Sequence, residues 1–239
     1  ILQERQLETF QSYYDYIERE ENRKELQLLY NAVTTTKSGF YREKQHFKFL
    51  RENVFPEMKK QRNNQYSKLR FWSAGCSSGE ETYTLAMEAH DFFGASRVSN
   101  GGLRILGSDV NTGVLEFAIN GAYTEEQIST IPDSLKKKFL VQASVGQNDL
   151  QRRINKDIQK LIQFRQFNLM ATAYPIATMF QLIFCRNLLY YLHPKKREYL
   201  LRKLVDNLEI GGWLVLGITE TGYKLDGMKK LAFSIYQKD

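Results

Sequence analysis

Residues 69–87, LRFWSAGCSSGEETYTLAM, decide the fold of this 239-residue chain. The stretch begins as a short apolar strand, narrows through small residues at 74–79, and then opens a helix with Glu80 and Glu81 in its first turn, where negative charge suits the helix dipole. Small residues at such a junction let a ligand approach bare backbone, and the N–H groups of the helix start are free to bind it. The stretch predicts the floor of a small-molecule site on an α/β sheet, although an ordinary strand-to-helix loop rich in Gly and Ser explains it equally well.

The composition is that of an ordinary soluble globular protein, with 42% hydrophobic and 26% charged residues. A membrane span needs about 20 consecutive apolar residues, and the longest apolar run, at 179–192, is interrupted by Gln181, Arg186 and Asn187. The first residues have no charged-then-apolar pattern of a secretion signal. We therefore expect a cytoplasmic protein with no stable membrane insertion.

The cysteines and histidines point away from disulfide and metal chemistry. The two cysteines, Cys76 and Cys185, fall in predicted core elements and make no disulfide framework, which fits a reducing compartment. The chain has only three histidines and no CxxC pair, so we expect no metal site.

The net charge of +7 is compatible with an acidic partner. The basic residues form short runs at 59–60, 136–138 and 195–197, each on a predicted solvent-facing helix, and a solvated face is the commoner explanation of such runs. A nucleic-acid enzyme would show a clustered basic stripe with aromatic residues or an Asn-Pro-Pro-Tyr motif. The chain has neither, so we expect no nucleic-acid partner.

The first 62 residues predict a small helical domain and a linker. Residues 34–39 carry the hydroxyl and glycine chemistry that ends a helix, and a second helix is predicted over 44–62, where Pro56 should kink or divide it. The polar residues 61–68 are the best candidate for a domain boundary. Within residues 1–33, helical spacing predicts one apolar face, formed by Leu26, Leu29, Tyr30 and Val33.

From residue 69 onward, strand and helix patterns alternate, which predicts a mostly parallel sheet with helices on both faces. Strands are predicted over 69–73, 103–107, 161–167, 180–184, 213–218 and 231–236, and helices over 79–93, 112–120 and 195–208. The last strand is expected to add an antiparallel edge beside 213–218, and Gly211 and Gly212 are expected to turn the chain. The polar segment 123–160 is interpreted as a connection.

Ligands bind outside the carboxyl ends of the strands in such sheets. Asp109, after the second strand, suits the two hydroxyls of a ribose because a carboxylate accepts two charge-assisted hydrogen bonds; the alternative is a helix N-cap ahead of Thr112. For Asn168 the alternative is a turn residue, and for Arg186 it is a surface salt bridge. The predicted strand ends are Ala74-Gly75, Asp109, Asn168 and Arg186-Asn187.

Several motifs, in order and spacing over residues 34–236, resemble those of the chemotaxis receptor methyltransferases, the CheR family. Residues 72–87 are similar to the family's first motif for S-adenosylmethionine (SAM), with Thr82 where Pro is usual. In the penultimate strand, Ile218 and Thr219 replace the commoner His and Ser. The other similar segments are SGFYRE at 38–43, GSDVNTGVLEFAINGAY at 107–123, FNLM at 167–170, FCRNLLYYL at 184–192 and GGWLVLGITET at 211–221.

The resemblance implies an α/β fold, the class I SAM-dependent methyltransferase fold, which is Rossmann-like with a mostly parallel sheet and an antiparallel final strand. It implies a small N-terminal helical domain with its linker at 1–62 and a SAM-binding domain at 68–239, interrupted at 139–160 by a small β-subdomain. Within that subdomain, the residues at 145–149 have turn chemistry that suits a hairpin. The implied reaction is methyl transfer from SAM, with S-adenosylhomocysteine as product, to glutamate side chains of chemoreceptor cytoplasmic helices.

Carried over by position, the resemblance also implies the site residues. Arg42 and Tyr191 match the positions that the family places near the transferred methyl group; Tyr191 is preferred over Tyr190 because it lies five residues past Arg186. The implied cofactor contacts are Thr36, Ser38, Arg42, Ala74, Glu80, Asp109, Asn168, Leu169, Arg186 and Asn187.

The partner expected from the resemblance is the cytoplasmic domain of a chemoreceptor. In some family members the β-subdomain also binds a receptor C-terminal peptide as an added strand, and here a solvent-facing hairpin without a partner is an equal alternative. The enzyme is expected to act as a monomer. A different class of function, a catalytically silent domain that binds SAM or its product as a sensor or scaffold, stays open because retained site residues do not prove turnover.

Overall fold

A computed structural model describes residues 7–61, 68–143 and 151–239. The predicted hairpin turn at 145–149 lies outside these residues, and so does nearly all of the predicted boundary at 61–68. None of the helices within the described ranges is long and apolar enough to cross a membrane.

The described strands form two sheets. The strands are β1 Leu69–Ala74, β2 Leu103–Asp109, β3 Ala122–Thr124, β4 Leu140–Ala143, β5 Gln151–Ile154, β6 Ile162–Gln166, β7 Phe180–Cys185, β8 Leu208–Leu216, β9 Met228–Ala232 and β10 Ile235–Lys238. The large sheet has the order β6-β2-β1-β7-β8-β10-β9. Its pairs from β6 to β8 are parallel, and β10 runs antiparallel to both of its neighbours. This is the mostly parallel sheet with an antiparallel final strand that the sequence predicts.

The helices cover both faces of the large sheet. They are α1 Phe10–Ile17, α2 Arg23–Val33, α3 Lys44–Phe49, α4 Phe55–Gln61, α5 Glu80–Phe93, α6 Ala95–Arg97, α7 Thr112–Asn120, α8 Asp133–Phe139, α9 Lys156–Gln159 and α10 Pro194–Asp206. Strand side chains alternate between the two faces. Phe71 and Leu182 therefore join one buried cluster with Leu85 of α5, whereas Trp72 joins the opposite cluster with Leu200 of α10.

The predicted helix over 44–62 is divided as Pro56 requires. A π-helical turn, Leu50–Val54, separates α3 from α4, and the Phe55 N–H donates to the Leu50 carbonyl across it. Proline has no N–H and its ring clashes with the carbonyl four residues earlier, so a regular α-helix cannot continue through this position.

Two details at the end of the chain differ from the prediction. Gly211 and Gly212 do not turn the chain; they lie inside β8, where Gly211 has φ +73° and the register against β7 shifts. The pair marks a bulge, because glycine accepts the left-handed backbone that such an irregularity needs. The predicted strand 231–236 is two strands, β9 and β10, joined by a tight turn in which Phe233 has φ +37°.

The segment interpreted as a connection contains the second sheet. Its order is β3-β5-β4, with both pairs antiparallel. β3 comes before residue 139, so this sheet also draws on residues 122–124, which are too few to show a strand pattern in the sequence.

The N-terminal helix α2 is tied to the large sheet beside the start of α7. The Gln27 side chain donates to the Val110 carbonyl at 2.9 Å, and the Thr112 N–H donates to the Asn31 side chain at 3.1 Å. These contacts bring the coil after α2 against the carboxyl end of β2.

Candidate active site

A cavity of about 350 Å³ opens where β1, β2, β6 and β7 end. The last residue of α2, Val33, and the coil after it, as far as Arg42, close one side. The cavity brings together eight of the residues that the sequence singles out: Ser38, Arg42, Asp109, Asn168, Leu169, Arg186, Asn187 and Tyr191.

The floor of the cavity is the loop between β1 and α5. The N–H groups of Gly75 and Cys76 both donate to the Ser108 carbonyl, at 2.8 and 2.9 Å, which pins the loop to the end of β2. Gly75 has φ +76°, and a Cβ atom there would lie 2.8 Å from Leu188 Cδ1. The floor therefore favours glycine at this position chiefly for its backbone angle, and a side chain there would also require Leu188 to shift.

Asp109 lines the cavity and is not a helix cap. Its carboxylate accepts from the Ser77 N–H at 2.8 Å and from the Asn111 N–H at 3.0 Å, one bond to each oxygen. Asn111 is the N-cap of α7, with its side chain accepting from the Val114 N–H. A carboxylate has about four acceptor positions, so Asp109 keeps acceptor capacity for two hydroxyls.

Three of the eleven expected site residues do not line the cavity. The carbonyl of Thr36 accepts from the hydroxyl of Ser77, a residue that does line the cavity, at 2.9 Å. Ala74 is buried at the end of β1. Glu80 is 3% exposed, and its carboxylate accepts from the Ser78 hydroxyl at 2.7 Å. Burial and the Glu80 charge raise the pKa of Tyr123, so this carboxylate lies on the Tyr123 side of the helix start.

Glu81 takes the place in the cavity that the sequence assigns to Glu80. Its carboxylate accepts from the Ser73 hydroxyl at 2.7 Å and pairs with Arg186 Nη1 at 3.1 Å. Burial raises the pKa of Glu81, and Arg186 and Ser73 oppose that rise. No spacing in the sequence separates the two acids, because Glu80 shares a helix face with Tyr83 and Thr84 and Glu81 shares one with Thr84 and Leu85.

Arg186 is a buried residue with two acidic partners, and it does not form a surface salt bridge. Its side chain is 1% exposed and pairs with Glu43 Oε2 at 2.9 Å as well as with Glu81. Its Nη2 also donates to the Arg42 carbonyl. Arg186 thus joins the coil after α2 to the first turn of α5, at the carboxyl end of β7.

Glu43 is not among the site residues predicted from the sequence, although it adjoins Arg42. Its other carboxylate oxygen accepts from the Asn187 side chain at 3.0 Å. Burial alone raises the pKa of Glu43, but Arg186, Asn187 and His46 lower that pKa more, and it stays below its ordinary value. Glu43 is therefore held as a carboxylate inside the protein.

The mouth of the cavity carries a cation and two tyrosines. Arg42 is exposed and donates from Nη1 to the Lys37 carbonyl at 3.0 Å. The rings of Tyr190 and Tyr191 lie 4.3 Å apart, and Tyr191 is 58% exposed. Hydrogen bonding to Thr35 and Tyr190, together with the charge of Arg42, lowers the pKa of Tyr191.

The wall at the end of β6 is largely apolar. Asn168 is exposed there, and its side-chain oxygen accepts from the Met170 N–H at 2.8 Å, so it shapes a turn while it lines the cavity. Val110, Phe167, Leu169 and Met170 supply the apolar surface. An apolar wall next to Asp109 suits a ligand that combines a flat ring with vicinal hydroxyls. In the described part of the chain, no group of three His, Cys, Asp or Glu residues could hold a metal ion.

Comparison with known proteins gives a consistent family. Residues 36–236 match the family model described as CheR methyltransferase, SAM binding domain. A chemotaxis protein methyltransferase of Borreliella burgdorferi is 34% identical over 234 residues, covering 98% of this chain and 80% of the relative. Chemotaxis protein methyltransferase 2 of Pseudomonas aeruginosa is 33% identical, covering 90% and 72%, and the Salmonella typhimurium protein is 32% identical, covering 90% and 70%.

Proposed function

Because this chain belongs to the CheR methyltransferase family, we propose that it methylates glutamate side chains on the cytoplasmic helices of chemoreceptors and forms methyl esters there. The family membership establishes a methyltransferase of chemotaxis whose cofactor is SAM and whose fold is the class I SAM-dependent methyltransferase fold. The residue that accepts the methyl group, the receptor as substrate and the roles of the site residues are the proposal.

The observation that carries the proposal is the exposed guanidinium of Arg42 at the mouth of the cavity, beside Tyr190 and Tyr191. A glutamate has an ordinary pKa of about 4.3, so it is already ionised at neutral pH and needs no general base. It needs a cation to orient it, and Arg42 meets that need because a guanidinium binds a carboxylate with two parallel hydrogen bonds. No histidine lies among the residues that form this cavity.

The residues of the cavity fit the cofactor. Asp109 has spare acceptor positions for the ribose hydroxyls, and Asn168 and Leu169 adjoin the apolar wall where the adenine ring would be held. The methionine end of SAM, which carries an ammonium and a carboxylate, would be held by Glu81, Arg186 and the small residues of the floor. These supply a carboxylate for the ammonium and polar backbone groups for the carboxylate. Ser38 and Asn187 line the same space. When bound, SAM supplies an electrophilic methyl group on a sulfonium.

The chain's own part in the reaction is orientation. A substrate carboxylate oxygen bonds to the methyl carbon as the carbon–sulfur bond breaks, so no proton is transferred and S-adenosylhomocysteine remains. Arg42 and Tyr191 would fix the substrate carboxylate on the line of that bond. Correct orientation and exclusion of water supply roughly 7–11 kcal/mol of a barrier in well-aligned intramolecular reactions.

The β-subdomain is the proposed second contact with the receptor. β4 is at the edge of the three-stranded sheet, and its Val141 side chain is 49% exposed. An extended receptor C-terminal peptide would add to such an edge as another strand. The Asn155 N–H donates to the Phe139 carbonyl, and in this register the N–H of Val141 faces β5 whereas that of Gln142 faces the free edge. Binding of a fluorescent peptide of that kind should be lost in Gln142→Pro, which cannot donate to an added strand, and retained in Gln142→Thr.

We also infer a monomeric enzyme of the cytoplasm, divided into an N-terminal helical domain at 1–62 and the SAM-binding domain at 68–239. Cys76 and Cys185 are free and buried, which suits a reducing compartment.

The decisive experiment combines the protein, methyl-labelled SAM and a purified receptor cytoplasmic fragment, followed by mild alkali. Label that enters the fragment and is released by alkali as methanol supports glutamate methyl esters. Alkali-stable label would overturn the assignment to glutamate. Binding of SAM without any transfer would favour the silent sensor or scaffold instead.

A further inference from the structure

We propose that Glu43 is a positioning residue: by holding the backbone next to Arg42 in place, it sets where the Arg42 side chain lies in the cavity. This inference rests on the proposed role of Arg42. It goes beyond that role because Glu43 itself contacts neither the cofactor space nor the mouth.

The backbone around Arg42 is unusual. Tyr41 has φ +54° and Glu43 has φ +57° with ψ +59°, so both neighbours of Arg42 are in the left-handed region. Residues other than glycine rarely adopt that region, because the side chain strains the backbone there. Such strain persists only where surrounding contacts hold the residue in place. Two strained residues that flank an exposed arginine therefore need anchors on both sides.

The anchor on one side is the Glu43 carboxylate. It accepts from Arg186 Nη2 at 2.9 Å, from the Asn187 side chain at 3.0 Å and from the Ile218 N–H at 3.2 Å. His46 Nδ1 lies 3.4 Å from the same group. One carboxylate thus ties the arginine's neighbour to the ends of two strands, β7 and β8.

The anchor on the other side is Tyr41, whose side chain is buried. Its hydroxyl donates to Glu88 at 2.6 Å, and its N–H donates to the Thr84 hydroxyl at 3.4 Å, both on α5. Glu88 is in turn paired with Arg51 at 3.0 Å. The two anchors fasten opposite sides of Arg42 to different elements.

Arg42 itself has little to hold it. Among the described residues, its side chain donates to the Lys37 carbonyl of the same coil at 3.0 Å and interacts with the exposed Tyr190 at the mouth. Its own carbonyl accepts from Arg186, the partner of Glu43. The direction in which the guanidinium leaves the backbone is consequently decided by its neighbours.

A double-mutant cycle separates positioning from a general structural role. The variants are Glu43→Gln, Arg42→Ala and the double variant, measured by single-turnover transfer from labelled SAM to the receptor fragment. A misplacement of about 1 Å can cost roughly 100-fold in rate, so we expect Glu43→Gln to lower the transfer rate by at least about tenfold. In the Arg42→Ala background, the same substitution should have no further effect, because residues that act as a unit are not additive.

The controls make each outcome decisive. Glu52→Gln is the matched control and should keep the wild-type rate. Glu52 is exposed, and within the described residues its ion pair is a 3.9 Å contact with the exposed Lys48. S-adenosylhomocysteine affinity and the thermal midpoint report on the fold. If Glu43→Gln does not fold, Tyr41→Phe removes the other anchor while it keeps the ring, and it should lower the rate only when Arg42 is present.

Equal losses from Glu43→Gln in both backgrounds would overturn the proposal, as would a wild-type rate in the single variant. If Tyr41→Phe is the variant measured, a wild-type rate or equal losses in both backgrounds would overturn it as well. A wild-type rate in Arg42→Ala would instead overturn the role of Arg42 in the proposed function, so the two failures are distinguishable.

Discussion

At the scale of the residue, the acids at the start of α5 have different surroundings. Consecutive helix residues point about 100° apart, so Glu80 turns to the Ser78 hydroxyl while Glu81 enters the cavity and meets Arg186. The residues are alike in chemistry and adjacent in sequence. Only one of them shares a space with Asp109.

A matched pair of variants tests this distinction. Glu81→Gln should weaken binding of S-adenosylhomocysteine at least about tenfold, because it removes the carboxylate from the cavity and leaves Arg186 with one acidic partner fewer. Glu80→Gln should change that affinity much less. Calorimetric titration of the two variants checks the order, and a larger loss in Glu80→Gln would contradict it.

Asp109 is tested in the same way. Asp109→Ala should weaken cofactor binding by about 1.5–3 kcal/mol, the range for a hydrogen bond to a charged group. Titration with S-adenosylhomocysteine measures the change, and Asp133→Ala, which removes an exposed carboxylate on α8, is the control. An unchanged affinity in Asp109→Ala would exclude the ribose role.

At the scale of the element, α10 begins against its own dipole. Its first turn has no acidic residue and carries Lys195 and Lys196, and its N-cap His193 makes no side-chain capping bond. Positive charge is unfavourable at the positive end of a helix. The helix is nevertheless held, because Leu200, Leu201 and Leu204 are buried against the sheet.

Lys196→Glu should therefore stabilise the protein. Position 196 is the third residue of α10, where a glutamate can accept from the N-cap N–H and meet the dipole favourably. We expect the free energy of unfolding in urea to rise by about 0.5–1 kcal/mol. Lys230→Glu, the same charge change on the edge strand β9, should not show this gain; equal changes in the two variants would indicate a net-charge effect.

At the scale of the whole molecule, we expect stability in acid to depend on a buried histidine, His46. Burial and the nearby Arg186 charge lower the pKa of His46 from 6.5 to about 4. Between these values the unfolded chain binds a proton that the folded protein does not, so the free energy of unfolding should fall as the pH drops from about 6.5 to about 4. The full loss amounts to at most about 3–4 kcal/mol, since each pKa unit corresponds to about 1.36 kcal/mol.

Urea unfolding at a series of pH values measures this dependence. His46→Gln should flatten the curve in that window, whereas substitution of the exposed His193 by Gln should leave it unchanged. Some slope will remain, since burial also lowers the pKa of His90. A curve of wild-type steepness in His46→Gln would show that His46 is not the group responsible.

Much of the fold could be predicted from local patterns. The strand at 180–184 and the helix at 112–120 follow from apolar periodicity, because each element must bury a face or both faces against its neighbours. Pro56 divides its helix for a reason that lies within a few residues. The three-residue strand β3 and the bulge at Gly211 carry no such local signal.

The sequence by itself determined the alternating sheet, the strand ends and the residue types that follow them, since these depend on periodicity and on chemistry at a given position. Only the tertiary structure decided that Glu81 and not Glu80 enters the cavity, and that Glu43 and Arg186 join the coil after α2 to three other elements. Those contacts link residues more than 100 positions apart, and the direction of each side chain depends on backbone angles and packing that no local pattern specifies.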